Sequence, residues 1–130
     1  MAMHEFQVRV YYEDTDMAGI VYYANYLKFI ERARSDWVRD LGIDQRAMRD
    51  VEGIVFVVRR VEADYLAPAH FDEELTVRTS VISSSGVRML LTQEVLREGT
   101  PIFQAEVTLV AVTTEGQIAR LPEALRRRIH

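Results

Sequence analysis

Hydrophobic and polar positions change period twice along the chain. From residue 5 to 12 they alternate, with Phe6, Val8 and Val10 on one face and Gln7, Arg9 and Tyr11 on the other, the pattern of a half-buried strand. From Tyr23 to Leu41 the period lengthens. At about 100° per residue, Tyr23, Tyr26, Leu27, Ile30, Ala33, Trp37, Val38 and Leu41 gather on one side, opposite Asn25, Lys28, Arg32, Ser35, Asp36, Arg39 and Asp40. This predicts a long amphipathic helix, with Gly42 as its C-terminal stop. Two residues break the stripe. Phe29 falls towards the polar side and suggests a subunit contact. Arg34 falls within the apolar stripe, where a buried guanidinium needs a partner; Glu31, three residues earlier, is in reach for a partly buried pair with room for further acceptors, and the other option is an arginine that snorkels to water.

Residues 43–53 read as a polar connection with a short helical turn. After Gly53 the chain turns strand-like and stays so: 54–68, 74–82, 87–96 and 102–114, with turn signals at 83–86 ("SSSG") and 97–100 ("REGT"). The end, "LPEALRRRIH", reads as a basic tail or helical turn. The order is one strand, one helix of about five turns, then four strands, expected to form an antiparallel meander. The helix must bury its stripe on the sheet, which is the sizeable apolar surface on offer. The expected fold is α+β: a curved five-stranded antiparallel sheet wrapped around one long central helix, in a single domain spanning 1–130. Long apolar edge strands call for at least a dimer.

Composition adds mainly exclusions. Of the 130 residues 48% are hydrophobic and 28% charged, an ordinary globular mixture. The absence of cysteine removes disulfides, thiolate zinc ligands and thiol nucleophiles. A net charge of −4 argues against general nucleic-acid binding. No apolar run reaches the ~20 residues of a membrane span, and "MAMHEFQVRV" lacks the pattern of a secretory signal, so a cytoplasmic location is expected. His4, His70 and His130 have no metal-site spacing; His70, in "APAHFDEE", suits a turn or a subunit contact.

The candidate chemistry lies between the first strand and the helix, in "EDTDMAGIVYYANY", 13–26. Gly19 permits a positive φ or a close backbone approach. Free N–H groups at a helix start carry about half a positive charge and can hold a carbonyl oxygen as it becomes an oxyanion. A carboxylate just upstream can then face the carbonyl carbon, an arrangement suited to acyl transfer or hydrolysis without metal or thiol. Asp16 taken alone is an ordinary helix cap; the surrounding motif points to catalysis. Asp14, Thr15 and Glu13 read as capping or bracing. Tyr11, Tyr12, Tyr22, Tyr23 and Tyr26 are expected to pack the core and the helix start, with Tyr22 or Tyr26 at the acyl pocket. Met17, Met48 and Met89 read as gap fillers.

"YYEDTDMAGIVYYANYLKFIERAR", followed by "YLAPAHFDEEL", resembles the hotdog-fold acyl-CoA thioesterases of the 4-hydroxybenzoyl-CoA thioesterase type, in particular the YbgC-like branch. The resemblance runs through essentially the whole chain, and its core, D-x-x-G-[IV]-V-[YFW]-x-x-x-Y-[LF], joins an acid, a glycine and the helix start at fixed offsets. It implies hydrolysis of a small or medium acyl-CoA to a carboxylic acid and coenzyme A. The catalytic aspartate maps to Asp16, as nucleophile or general base, and the polarising backbone N–H to Tyr23. Gly19, Val21, Tyr22 and Tyr26 become candidate substrate contacts. Many YbgC-like members carry histidine where this chain has Tyr23; the N–H survives that change and an imidazole role does not. The thioester could be carried by coenzyme A or an acyl carrier protein. No metal, and no cofactor beyond the coenzyme A of the substrate, is implied. Relatives suggest a dimer of dimers.

Coenzyme A brings phosphates, for which Arg59, Arg60, Arg88 and the tail Arg126, Arg127 and Arg128 are candidates, although each taken singly reads as a solvated surface residue. Two other functions fit the same fold: a non-catalytic acyl-thioester binding or scaffold protein, and a hydratase or dehydratase, which would want a histidine near Asp16 that the sequence lacks.

Overall fold

The computed structural model describes residues 3–123, 125 and 126. Five strands form one antiparallel sheet: β1 (His4–Arg9), β2 (Ile54–Tyr65), β3 (Glu74–Ser84), β4 (Arg88–Arg97) and β5 (Thr100–Thr113), in the order β1-β3-β4-β5-β2. The helix, α1 (Asn25–Asp40), lies between β1 and β2 in sequence. Its side chains Tyr26, Phe29, Ile30, Ala33, Trp37 and Val38 are buried with Leu75, Val77, Leu91, Val95, Phe103 and Val107 of the sheet in one core. Irregularities at Val58/Arg60, Val81/Ser83 and Val95/Leu96 break the register of three strand pairs. Such bulges bend strands and increase their twist, which suits a sheet wrapped around a helix.

The expected four-strand meander is only partly right. β3, β4 and β5 do follow one another, and Glu98 (φ 49) with Gly99 (φ 81) makes the tight hairpin between the last two. β2, however, pairs with β5 at the far edge. The reason is the connection 66–73, "LAPAHFDE", which is too long and too proline-bound for a hairpin. It runs across the end of the sheet and becomes part of the site.

On α1 the stripe is displaced from the one expected. Phe29 is fully buried rather than at a subunit contact, and Asn25 is buried, while Tyr23 and Leu27 are 62% and 41% exposed. The helix begins at Asn25, so Tyr23 lies in the preceding turn. Arg34 is part-buried as expected, and its hydrogen-bond partner is a further acceptor, Gln93, whose Oε1 accepts from Nη1 at 2.9 Å; Glu31, which accepts from Ser35 Oγ, acts on the guanidinium through charge, against the effect of burial. Gln93, fully buried on β4, also donates to Ile30 O and Thr79 Oγ1 at 2.9 Å each, closing a polar knot between helix and sheet.

Met17 is fully exposed and no gap filler, unlike the buried Met48 and Met89. At the C-terminal end a turn begun by Pro122 drives Leu121 and Leu125 into the core. Arg126 Nε donates to Leu121 O. Arg127, Arg128 and His130 lie outside the described residues. Among the described residues, no helix is long and apolar enough to cross a membrane.

Candidate active site

The segment from Tyr11 to Asn25 is a sequence of small closures. Asp14 turns inward: it is buried, its Oδ2 accepts from Tyr11 N–H at 2.8 Å, and its carbonyl accepts from Tyr22 N–H and Asn25 Nδ2, each at 2.9 Å. Thr15 Oγ1 donates to Tyr12 O. Both residues therefore brace the loop, as expected. Asn25, assigned to the polar face of the helix by its spacing, ties the helix start to that brace.

Asp16 turns the other way and is exposed. Its N–H donates to Ile20 O at 2.9 Å, its carbonyl accepts from Gly19 N–H at 3.0 Å, and its Oδ1 accepts from Ala18 N–H at 2.9 Å. Gly19 completes this turn at φ 79, with open space where a Cβ would stand. Its role is conformational, and it is not among the residues lining the groove below. One carboxylate oxygen is thus fixed in the turn. The other, Oδ2, has no partner among the described residues.

Beyond the turn, Val21 N–H donates to Ala69 O at 2.9 Å, and Ile20 pairs with His70. The connection 66–73 is thereby clamped onto the motif. His70 N–H and Arg97 both reach Glu73 Oε1, at 2.7 and 3.1 Å, and Arg97 also holds Pro68 O at 2.8 Å. His70 therefore has the turn role expected of it.

Between these pieces opens a groove of about 450 Å³, with Asp16 on its rim. Tyr22, Tyr23, Tyr26 and Tyr65 supply its aromatic wall, and Ile20, Val21, Leu66, Ala67 and Pro68 its aliphatic one. Tyr26 stacks on Phe103 at 4.9 Å between ring centres and accepts from Ala69 N–H; burial raises its hydroxyl above the ordinary phenol range. The neighbouring Tyr23 hydroxyl, with a smaller contribution from Asp16, does the same for Tyr22. Of the five tyrosines expected to pack the core and helix start, only Tyr26 is buried; Tyr11 and Tyr12 are exposed outside the groove. Tyr65 was not singled out by sequence. Its signal was the "YLAP" stretch that closes β2.

The N–H groups of Tyr23 and Ala24 have no acceptor among the described residues. They precede α1, at the positive end of the helix; Tyr23 lines the groove and Ala24 follows it in the chain. The site thus joins a free carboxylate oxygen, unpaired main-chain donors and an apolar slot. A hollow of about 480 Å³ near the other end of α1 is different: it is polar, and its carboxylate, Asp44, is engaged by Arg46 and Ala47 N–H.

The candidate arginines are not brought to the groove. Arg59 and Arg60 lie on edge strand β2, Arg60 paired with Glu62, and Arg88 is exposed at the start of β4. The fold also creates a cluster that spacing could not reveal: His4 Nε2 lies 2.9 Å from Asp36 Oδ2 and 3.2 Å from Asp40 Oδ2. His4 Nδ1 is buried without a partner among the described residues. A metal-bound histidine normally donates from its second nitrogen, so the cluster reads as a clamp of β1 on α1.

The profile of the Thioesterase-like superfamily matches residues 10–129. The acyl-CoA thioester hydrolase YbgC of Escherichia coli O6:H1 is 42% identical over 106 residues, covering 81% of this chain and 78% of that protein. The acyl-CoA thioesterase YbgC of Haemophilus influenzae is 39% identical over 107 residues, covering 82% and 79%. A probable thioesterase from Bartonella henselae has a crystal structure with a TM-score of 0.89 at 40% identity, covering 93% of this chain and 100% of that one. A 4-hydroxybenzoyl CoA thioesterase, at 21% identity and a TM-score of 0.91 over 98% of this chain and 99% of its own, shares the fold. With a hotdog fold and a superfamily match that takes in the motif, the helix and strands β2 to β5, the chain belongs to the Thioesterase-like superfamily, in its YbgC-like branch.

Proposed function

We propose that the protein hydrolyses acyl-CoA thioesters, with the acyl group in the tyrosine-lined groove and the thioester carbonyl between Asp16 and the turn before α1. The observation that carries this reading is the pairing of an unengaged Asp16 Oδ2 with the unpaired Tyr23 N–H beside one apolar slot. The carbonyl oxygen accepts from Tyr23 N–H, which tightens its hold as negative charge develops there. Asp16 then adds to the carbonyl carbon, forming a mixed anhydride with release of the thiolate, and water cleaves the anhydride. Alternatively Asp16 takes a proton from the water that attacks directly. Both routes end in a carboxylic acid and free thiol, and neither calls on a metal or an imidazole. Tyr23, at the position where many relatives have histidine, serves through its backbone.

Among the described residues, no arginine lines the groove. We infer that phosphate contacts by Arg59, Arg60 or Arg88 come from a second copy of the chain that brings them to the mouth. The bared edge β2, with Val57, Val58 and Val61 each about 40% exposed, is the surface along which two copies would pair. Release of free thiol from acyl-CoAs of graded chain length, with one aroyl thioester in the panel, tests the function. Turnover of at least one of them is expected; tight binding of all with turnover of none would mark a binding protein instead.

A further inference from the structure

The two unpaired N–H groups before α1 are held from behind. A peptide group is planar, so fixing its carbonyl fixes the N–H on its other side. The peptide that carries Tyr23 N–H ends in the Tyr22 carbonyl, which accepts from Asn25 N–H at 2.8 Å. The peptide that carries Ala24 N–H begins with the Tyr23 carbonyl, and that oxygen accepts from the Tyr65 hydroxyl at 2.9 Å. The first support is local to the turn. The second comes from 42 residues away, at the end of β2.

Tyr65 is well placed to give a fixed hydrogen bond. Its ring packs edge-on against Phe103 at 5.1 Å, Tyr26 at 5.6 Å and Tyr23 at 6.2 Å. Burial, with Tyr23 adding to it, holds the hydroxyl above the ordinary phenol range, so it remains a donor at neutral pH. A donor on a peptide carbonyl polarises the N–H of the same peptide, because hydrogen bonds in a chain reinforce one another. The hydroxyl is committed to the main chain, while the ring still faces the groove.

We propose that Tyr65 is a positioning residue of the oxyanion site: its hydroxyl fixes the Tyr23–Ala24 peptide and makes Ala24 N–H a second donor beside that of Tyr23. The proposal rests on the helix-start reading of the site given above. It assigns the Tyr65 hydroxyl a part in the rate of the chemical step, and leaves the contact with substrate to the ring.

Tyr65→Phe deletes the hydroxyl and keeps the ring, so it separates the two functions of the side chain. Steady-state thiol release should show kcat lowered by about five- to tenfold, the loss of one neutral hydrogen bond, with KM within about twofold of wild type and Tm lowered by no more than a few degrees. Asp16→Asn is assayed in parallel. An inactive Asp16→Asn together with a wild-type kcat in Tyr65→Phe overturns the inference and leaves the reading of the site standing. A kcat loss in Tyr65→Phe that comes with an equal rise in KM also overturns it, since that is what a packing role at the groove wall produces. Near-normal hydrolysis by Asp16→Asn overturns the reading of the site and this inference with it.

Discussion

Two aspartates separated by one residue have opposite fates. Asp14 enters the core to hold three donors, two of them through its carbonyl, while Asp16 stays at the surface with one oxygen uncommitted. Each is the condition of the other, because the buried brace is what keeps the exposed carboxylate in place. Gly19 closes the turn that carries Asp16. A methyl at its Cβ position would meet nothing within 4 Å, but φ is +79. Gly19→Ala should therefore cost about 1 kcal/mol through the backbone alone, read as a lower urea midpoint with unchanged m-value. A neutral substitution would mean that the turn does not need a left-handed residue. The motif was legible in sequence because acid, glycine and helix start occur at fixed offsets. Asn25 and Tyr65 were not, because their partners, Asp14 O and Tyr23 O, are main-chain atoms that leave no trace in residue type.

Among the elements, the connection 66–73 decides most. It carries one wall of the groove, and it is pinned by Glu73, His70 and Arg97. Burial alone would raise the Glu73 pKa, but His70 N–H and Arg97 outweigh it and hold the carboxyl below its ordinary value of 4.5. A carboxylate so depressed stabilises the fold fully above its unfolded value, and that contribution is lost as pH falls through the folded one. Glu73→Gln should accordingly be less stable than wild type at neutral pH, by about 0.5–1 kcal/mol for a pair this exposed. The gap should close below pH 4.5, as followed by thermal melts across acid pH. A gap that stays constant into strong acid would deny Glu73 this role. The helix illustrates why spacing misassigned Phe29 and could not name the hydrogen-bond partner of Arg34. A concave sheet covers more than one stripe of α1, so Phe29 is enclosed. Arg34 found Gln93, a partner 59 residues away that no helical offset predicts.

At the scale of the molecule, five antiparallel strands around one helix were foreseeable from period and order, and the place of β2 was not. A reading by turns joins neighbours in sequence, whereas the path of 66–73 sends β2 to pair with β5. That placement leaves Val57, Val58 and Val61 on an open edge. Light scattering should give at least twice the mass of one chain, and Val57→Lys with Val61→Lys should lower it, since edge charges oppose strand pairing. A wild-type monomer would contradict pairing along β2.

The proposed function rests on one arrangement, a carboxylate oxygen and a main-chain donor on opposite sides of a thioester carbonyl. Single-turnover thiol release by Asp16→Asn tests it most directly. Asparagine keeps the Oδ1 that accepts from Ala18 N–H, so the turn and Tm should persist. The rate should fall by about 10²–10⁴-fold, the range lost with a positioned base. A folded Asp16→Asn variant that releases thiol at close to the wild-type rate would contradict the account.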